Sequence, residues 1–226
     1  MFRSCVKNCD AALSLNKHLS RACLRKAWAL NEMGKFAEAC ATLSSGLKDN
    51  PGIVELEKEL ASCKSLRTKL SLVQSFIDVK KHDEARELLA ETRSPLRHAV
   101  ILQCKAELGL GKADKVLKIL NPDALRNDLM GGDVIELIAE AHFQNGDLDQ
   151  AIQEAKRAQG YSPDCSQKSP MLQLYQDVHM LMLNGQIAAK ERRFAKAVES
   201  FSTTIDKCED VVPCEFTRCD LSIARA

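Results

Sequence analysis

The stretch RACLRKAWALNEMGKFAEACATLSSGL, residues 21–47, decides how the chain folds. Its apolar residues recur three and four positions apart as far as Met33, which is the rhythm of one helix face. Gly34 interrupts that rhythm, and it resumes from Phe36. A glycine between two helical patterns permits the tight reversal that joins antiparallel helices. Small residues, Ala27, Ala39 and Gly46, stand where the two helices must approach closely. Pro51 closes the unit, because proline cannot continue a helix.

The phrase around Gly34 recurs along the chain. It reads GKFAEA (34–39), KKHDEA (80–85), GKADKV (111–116), GDLDQA (146–151) and RRFAKA (192–197). The closing residues are Ala39, Ala85, Val116, Ala151 and Ala197, at spacings of 46, 31, 35 and 46. Cys5, 34 residues before Ala39, begins a sixth member that continues into Ala12 and Leu13. DVIELIAEAHFQNG (133–146) and DLDQAIQEAKRAQ (147–159) repeat the helix–turn–helix, with Pro163 closing it. The period is about 34 residues, with two insertions of about twelve. Before the first long gap ends, GIVELEKELASCKSL (52–66) carries Ile53, Leu56, Leu60 and Cys63 on one face. It reads as a covering helix, which sets a boundary near residue 66. GYSPDCSQKSP (160–170) reads as a loop before a long helix over 171–191.

This pattern of period, turn, small residues and closing proline resembles the tetratricopeptide repeat. The resemblance implies an all-α solenoid of helix–turn–helix repeats, wound as a right-handed superhelix with a concave groove. The expected organisation is the end of a first cluster over 1–66 and a second cluster over 67–226. The chain reads as beginning inside the second helix of one repeat. It reads as ending, at CEFTRCDLSIARA (214–226), in a first helix without its partner.

Composition narrows the function. A net charge of +1 argues against a nucleic-acid partner, which usually demands a basic excess. No apolar run reaches the roughly 18 residues of a membrane span. The ten cysteines fall mostly at positions that suit small core residues, and the N-terminus lacks a signal-type apolar stretch. Both point to a reduced, cytoplasmic compartment. There is no G-x-S-x-G, no phosphate-binding G-x-x-x-x-G-K, and no H-E-x-x-H, so no catalytic residue, cofactor or enzyme activity is expected. GLGK (109–112) reads as an inter-helix turn. The five histidines are scattered with no evident acidic or cysteine partner in the sequence. Cys208, Cys214 and Cys219 lack paired zinc-site spacing, so no metal site is expected.

One helix carries a sharper reading. Arg21 and Arg25 are four residues apart, so they project from one face about 6 Å apart along the axis. Leu24 and Trp28 lie near that face. Two guanidinium groups beside apolar surface suit an extended acidic peptide. Arginine pairs on helices are also commonly just solvated or ion-paired, and Trp28 suits inter-helix packing better than ligand contact.

VKNCDAALSLNKHLSRACLRKAWALNEMGKFAEA (6–39) resembles the junction of the second and third repeats in chaperone-binding tetratricopeptide domains. In that family, three repeats clamp the acidic C-terminal tail of the seventy- and ninety-kilodalton heat-shock chaperones. The resemblance places Arg21 and Arg25 at the third repeat's two basic clamp positions, with Arg in place of the usual Lys at the first. The family's remaining clamp residues come from earlier repeats that have no counterpart here. LMLNGQIAAKERRFAKAVESFSTTI (181–205) resembles an opening clamp repeat, as in two-cluster co-chaperones that include J-domain proteins. It departs from the family with Met182 at the clamp Lys and Gln186 at the clamp Asn. Asp133, Glu136 and Glu140 on a neighbouring helix would repel an acidic tail. No His-Pro-Asp motif occurs. The implied function is a noncatalytic adaptor that binds a chaperone tail through Arg21, Leu24, Arg25 and Trp28. An assembly scaffold for an unrelated partner, or the regulatory region of a larger enzyme, would carry the same repeats.

Overall fold

The computed structural model describes residues 2–92, 96–121, 131–161 and 170–209. Eleven α-helices and no strands occur among them. They are α1 (Phe2–Leu15), α2 (Ser20–Glu32), α3 (Phe36–Asp49), α4 (Val54–Asp78), α5 (His82–Thr92) and α6 (Arg97–Gly109), followed by α7 (Ala113–Ile119), α8 (Gly132–Gln144), α9 (Leu148–Gln159), α10 (Pro170–Lys190) and α11 (Phe194–Glu209). The all-α class and the serial helix–turn–helix arrangement agree with the sequence. The chain divides into two compact units, Met1–Ala106 and Glu107–Ala226.

Five of the connections share one backbone solution. Gly34, Lys80, Gly111, Gly146 and Arg192 all take positive φ, between 59° and 84°. Each sits just past the end of its helix, where two backbone bonds close the turn. At Gly34 these run from its own N–H to the Asn31 carbonyl at 3.0 Å, and from the Lys35 N–H to the Leu30 carbonyl at 2.8 Å. The same pair recurs at Lys80–Lys81, Gly111–Lys112, Gly146–Asp147 and Arg192–Arg193. This is the Schellman closure, which satisfies carbonyls the helix end leaves unpaired. Five residues past each turn residue lie Ala39, Ala85, Val116, Ala151 and Ala197, all buried. A small side chain there lets the second helix cross close over the first.

The first unit has two cores that share α4. Leu56 and Cys63 pack with Cys23, Ala27, Leu30, Ala39, Cys40 and Leu43 of α2 and α3. Leu70 and Val73 pack with Phe36, Ala85, Leu89, Ala99 and Leu102. The expected boundary near residue 66 therefore falls inside an unbroken helix. The physical reason is in the spacing: Leu56, Cys63, Leu70 and Val73 continue one buried stripe, and no Gly or Pro interrupts 53–78. The first of the two insertions lengthens α4 instead of adding a separate covering helix.

The second unit centres on α8–α11. Phe143 stacks on Tyr175 with centroids 4.6 Å apart, beside Ala151, Ala155, Val178 and Met182. Gly185 admits Phe201: a Cβ there would lie 2.6 Å from the ring. Lys207 of α11 pairs with Asp177 of α10 at 2.8 Å and holds that carboxyl below its ordinary range, with Gln173 assisting. The expected loop over 160–170 lies largely, and the expected helix over 214–226 wholly, outside the described residues.

Two outcomes test this account. Lys80→Gly and Arg192→Gly should each stabilise the protein by about 0.5–1 kcal/mol, because an L side chain at positive φ is strained and glycine relieves it at some entropic cost. Urea unfolding followed by helical circular dichroism reads the change, and destabilisation at both sites would contradict the assigned turns. Gly185→Ala should destabilise by about 1–3 kcal/mol through overpacking against Phe201, with part of the loss recovered in combination with Phe201→Leu.

Candidate functional site

Helix α2 is held from three directions. Cys23, Ala27 and Leu30 face the core formed with α3 and α4. Cys23 Sγ sits so close to Gly46 that a Cβ there would lie 2.9 Å away. On another flank, Lys26 pairs with Asp10 of α1 at 2.7 Å. At the helix start, His18 Nδ1 lies 2.8 Å from the Asp49 carbonyl, which ties the α1–α2 connection to the end of α3. The remaining side of α2 is left to solvent.

That side carries Arg21, Arg25 and Trp28, spaced i, i+4 and i+7, so one stripe brings all three together. Both arginines are exposed, and neither forms an ion pair among the described residues. The charge of Arg25 reaches α1: burial and neighbouring Cys5 raise the thiol pKa of Cys9, and Arg25 pulls it the other way. Trp28 is 48% exposed, and its ring meets Phe2 edge-on at 5.5 Å. It is thus both an inter-helix contact and an exposed aromatic surface. Leu24 stands apart from these three. It is half-buried and packs against the α2–α4 core, so it shapes the margin of the face.

Charge is divided unevenly along the chain. Residues 1–106 carry eighteen Lys and Arg against twelve Asp and Glu, whereas residues 107–226 carry fourteen against nineteen. The net charge of +1 thus conceals a basic first unit and an acidic second one.

In the second unit, Met182 is 7% exposed and belongs to the core, so it presents no group to a ligand. Gln186 lines a surface groove of about 460 Å³ with Asp147, Asp149, His179 and Leu183. Asp133 and Glu136 of α8 are exposed, and Glu140 is half-buried. Two histidines do have acidic neighbours, contrary to the sequence expectation. His142 lies 3.7 Å from Asp147, and His179 lies 3.7 Å from Asp149. The chain reversal at Gly146 returns Asp147 to His142, and the packing of α10 on α9 brings His179 to Asp149. The groove itself was missed in the sequence, although Met180, Leu183 and Ile187 of α10 are exposed apolar residues three and four positions apart. Among the described residues, no group of three or more His, Cys, Asp or Glu is placed to hold a metal ion. No described helix is long and apolar enough to cross a membrane.

Residues 133–165 match the model of the tetratricopeptide repeat. Its described part is the α8–α9 hairpin, whose turn and small buried residue recur in the four other hairpins. No significant match to a curated protein is found. The fold is accordingly an all-α array of tetratricopeptide-like hairpins, a type of repeat that binds segments of other proteins.

If the arginine stripe is a ligand surface and not a structural one, Arg21→Glu and Arg25→Glu should each leave the unfolding free energy within about 0.5 kcal/mol of the parent. Lys26→Ala should cost up to about 1 kcal/mol through its lost pairing and packing. Thermal and urea unfolding of the three variants read this directly. A large loss at either arginine would assign it to structure.

Proposed function

We propose that the chain is a noncatalytic adaptor of the co-chaperone kind, whose α2 face takes the acidic C-terminal tail of a seventy- or ninety-kilodalton heat-shock chaperone. The supporting observation is the pair Arg21 and Arg25: exposed, one turn apart, without an ion-pair partner among the described residues, and beside the half-exposed Trp28. Guanidinium groups bind carboxylates through charge-assisted, often bidentate hydrogen bonds. The aromatic ring supplies apolar contact for a side chain of the tail. Because α2 is fixed by α1, α3 and α4, the receptor side loses little freedom on binding. The basic excess of the first unit draws an acidic peptide to the right half of the chain. This reading places the protein in the cytoplasm, with a protein segment, not nucleic acid or membrane, as its partner.

A second reading, an assembly scaffold for an unrelated partner, is favoured by the acidic second unit. Asp147 and Asp149 at the groove, with Asp133 and Glu136 on α8, would reject a carboxylate-rich tail there. The two readings are compatible if each unit takes a different ligand.

Isothermal calorimetry with an acidic heptapeptide bearing a free C-terminal carboxylate separates them. Arg25→Ala should weaken binding by about 1.5–3 kcal/mol, and the affinity of the parent should fall as salt is raised. An unchanged dissociation constant in the Arg25→Ala variant would reject the clamp and leave the scaffold.

A further inference from the structure

Cys40 of α3 and Cys63 of α4 bring their sulfur atoms to 3.2 Å inside the first unit. Unbonded carbon atoms rest at roughly 3.5–4.0 Å, and sulfur is larger, so this contact is close. The pair is well enclosed, with Cys40 at 7% and Cys63 at 1% exposure. The Cys40 thiol donates to the Cys63 sulfur, and the Cys63 thiol donates to Asn31 Oδ1 at 3.3 Å. Asn31 is itself buried, so the two thiols and the amide form a small polar pocket in an otherwise apolar core.

We infer that Cys40 and Cys63 form a reversible disulfide that clasps α3 to α4, which makes this pair a redox modification site of the first unit. A disulfide needs its sulfurs at about 2.05 Å. The sulfurs therefore need to close by about 1 Å. The oxidant required is of the peroxide class. The sulfur of the more exposed Cys40 attacks the peroxide O–O bond, becomes a sulfenic acid and releases one water. The Cys63 sulfur then attacks the sulfenic sulfur. The S–S bond forms as the S–O bond breaks, and the leaving hydroxide takes the Cys63 proton as a second water. Two thiols lose two electrons, and one peroxide becomes two waters.

The surroundings set the conditions for this step. Burial, together with Cys40, pushes the Cys63 thiol up to about 12, so it waits as a protonated thiol. A buried pair of thiols is slow to react while α3 and α4 stay closed. Oxidation therefore follows local opening of the two helices and afterwards prevents it. Because α4 serves both cores of the unit, the clasp fixes one half of α4 to the α2–α3 hairpin. The inference is independent of the peptide-binding reading.

The test uses the full chain, treated with hydrogen peroxide under native conditions, blocked with an alkylating agent and digested with trypsin without reduction. The expected dominant cross-link joins residues 36–48 to residues 59–64, which contain Cys40 and Cys63 as their single cysteines. It should disappear on reduction and lose its dominance when the chain is oxidised in urea. The oxidised protein should also lose its helices at a temperature about 5 °C or more above the reduced one, a shift absent in Cys63→Ser. If that variant does not fold, the peptide map of the unsubstituted chain decides alone. A dominant link elsewhere, such as Cys5 to Cys9, or free alkylated Cys40 and Cys63 in chains oxidised at other positions, would overturn the inference.

Discussion

The array depends on one constraint repeated at five of its turns. A residue in left-handed backbone ends the first helix, two hydrogen bonds lock the turn, and five residues later a small side chain lies at the crossing. The closure fixes where the second helix begins, and the small residue fixes how near it comes. Together they allow helices of very different length to be joined without changing the hairpin. The longer α4 and α10, of 25 and 21 residues, extend away from the turns and leave the turns alone. Burial at other positions is then decided by what stacks next. Phe36 and Phe194 both stand two residues after a turn, yet Phe36 is 7% exposed beneath α4 and α6, whereas Phe194 is 64% exposed.

Packing also determines which side of α2 is available. Cys23, Ala27 and Leu30 are committed to the core, and Lys26 is committed to Asp10. Arg21, Arg25 and Trp28 occupy the stripe opposite the core, where Trp28 alone of the three meets another helix, at Phe2 of α1. Their exposure follows from the hairpin and not from any feature of the arginines themselves. This is why a helix already fixed on its other sides presents the two charges in a set register.

The repeats were legible because their signals are local. A turn residue followed at a fixed distance by alanine, or in one case by Val116, needs no tertiary information to be seen, and it located these five turns. The stripe of Arg21, Arg25 and Trp28 was legible for the same reason, since i, i+4 and i+7 share a helix face. What was not legible depended on conformation or on distant contacts. Lys80 and Arg192 occupy the glycine position without being glycine, so composition does not announce their positive φ. The boundary near 66 came from reading 52–66 as a covering helix that ends there, while the stripe Leu56, Cys63, Leu70 and Val73 runs on through one unbroken helix. His179 and Asp149, thirty residues apart, meet only when α10 packs on α9. Leu24 shares sequence proximity with the arginines, but burial separates it from them.

Charge shows how an average can mislead about a repeat protein. A net of +1 argues against strong electrostatics for the chain as a whole, yet charges farther apart than a Debye length of about 8–10 Å act almost independently. What a ligand meets is the local excess. Around α2 that excess is positive, and Lys26 is the cation that a carboxylate of α1 has neutralised. Around α8 and the start of α9 it is negative, with Asp133, Glu136, Asp147 and Asp149. Acidic segments would meet attraction around α2 and repulsion around α8 and the start of α9.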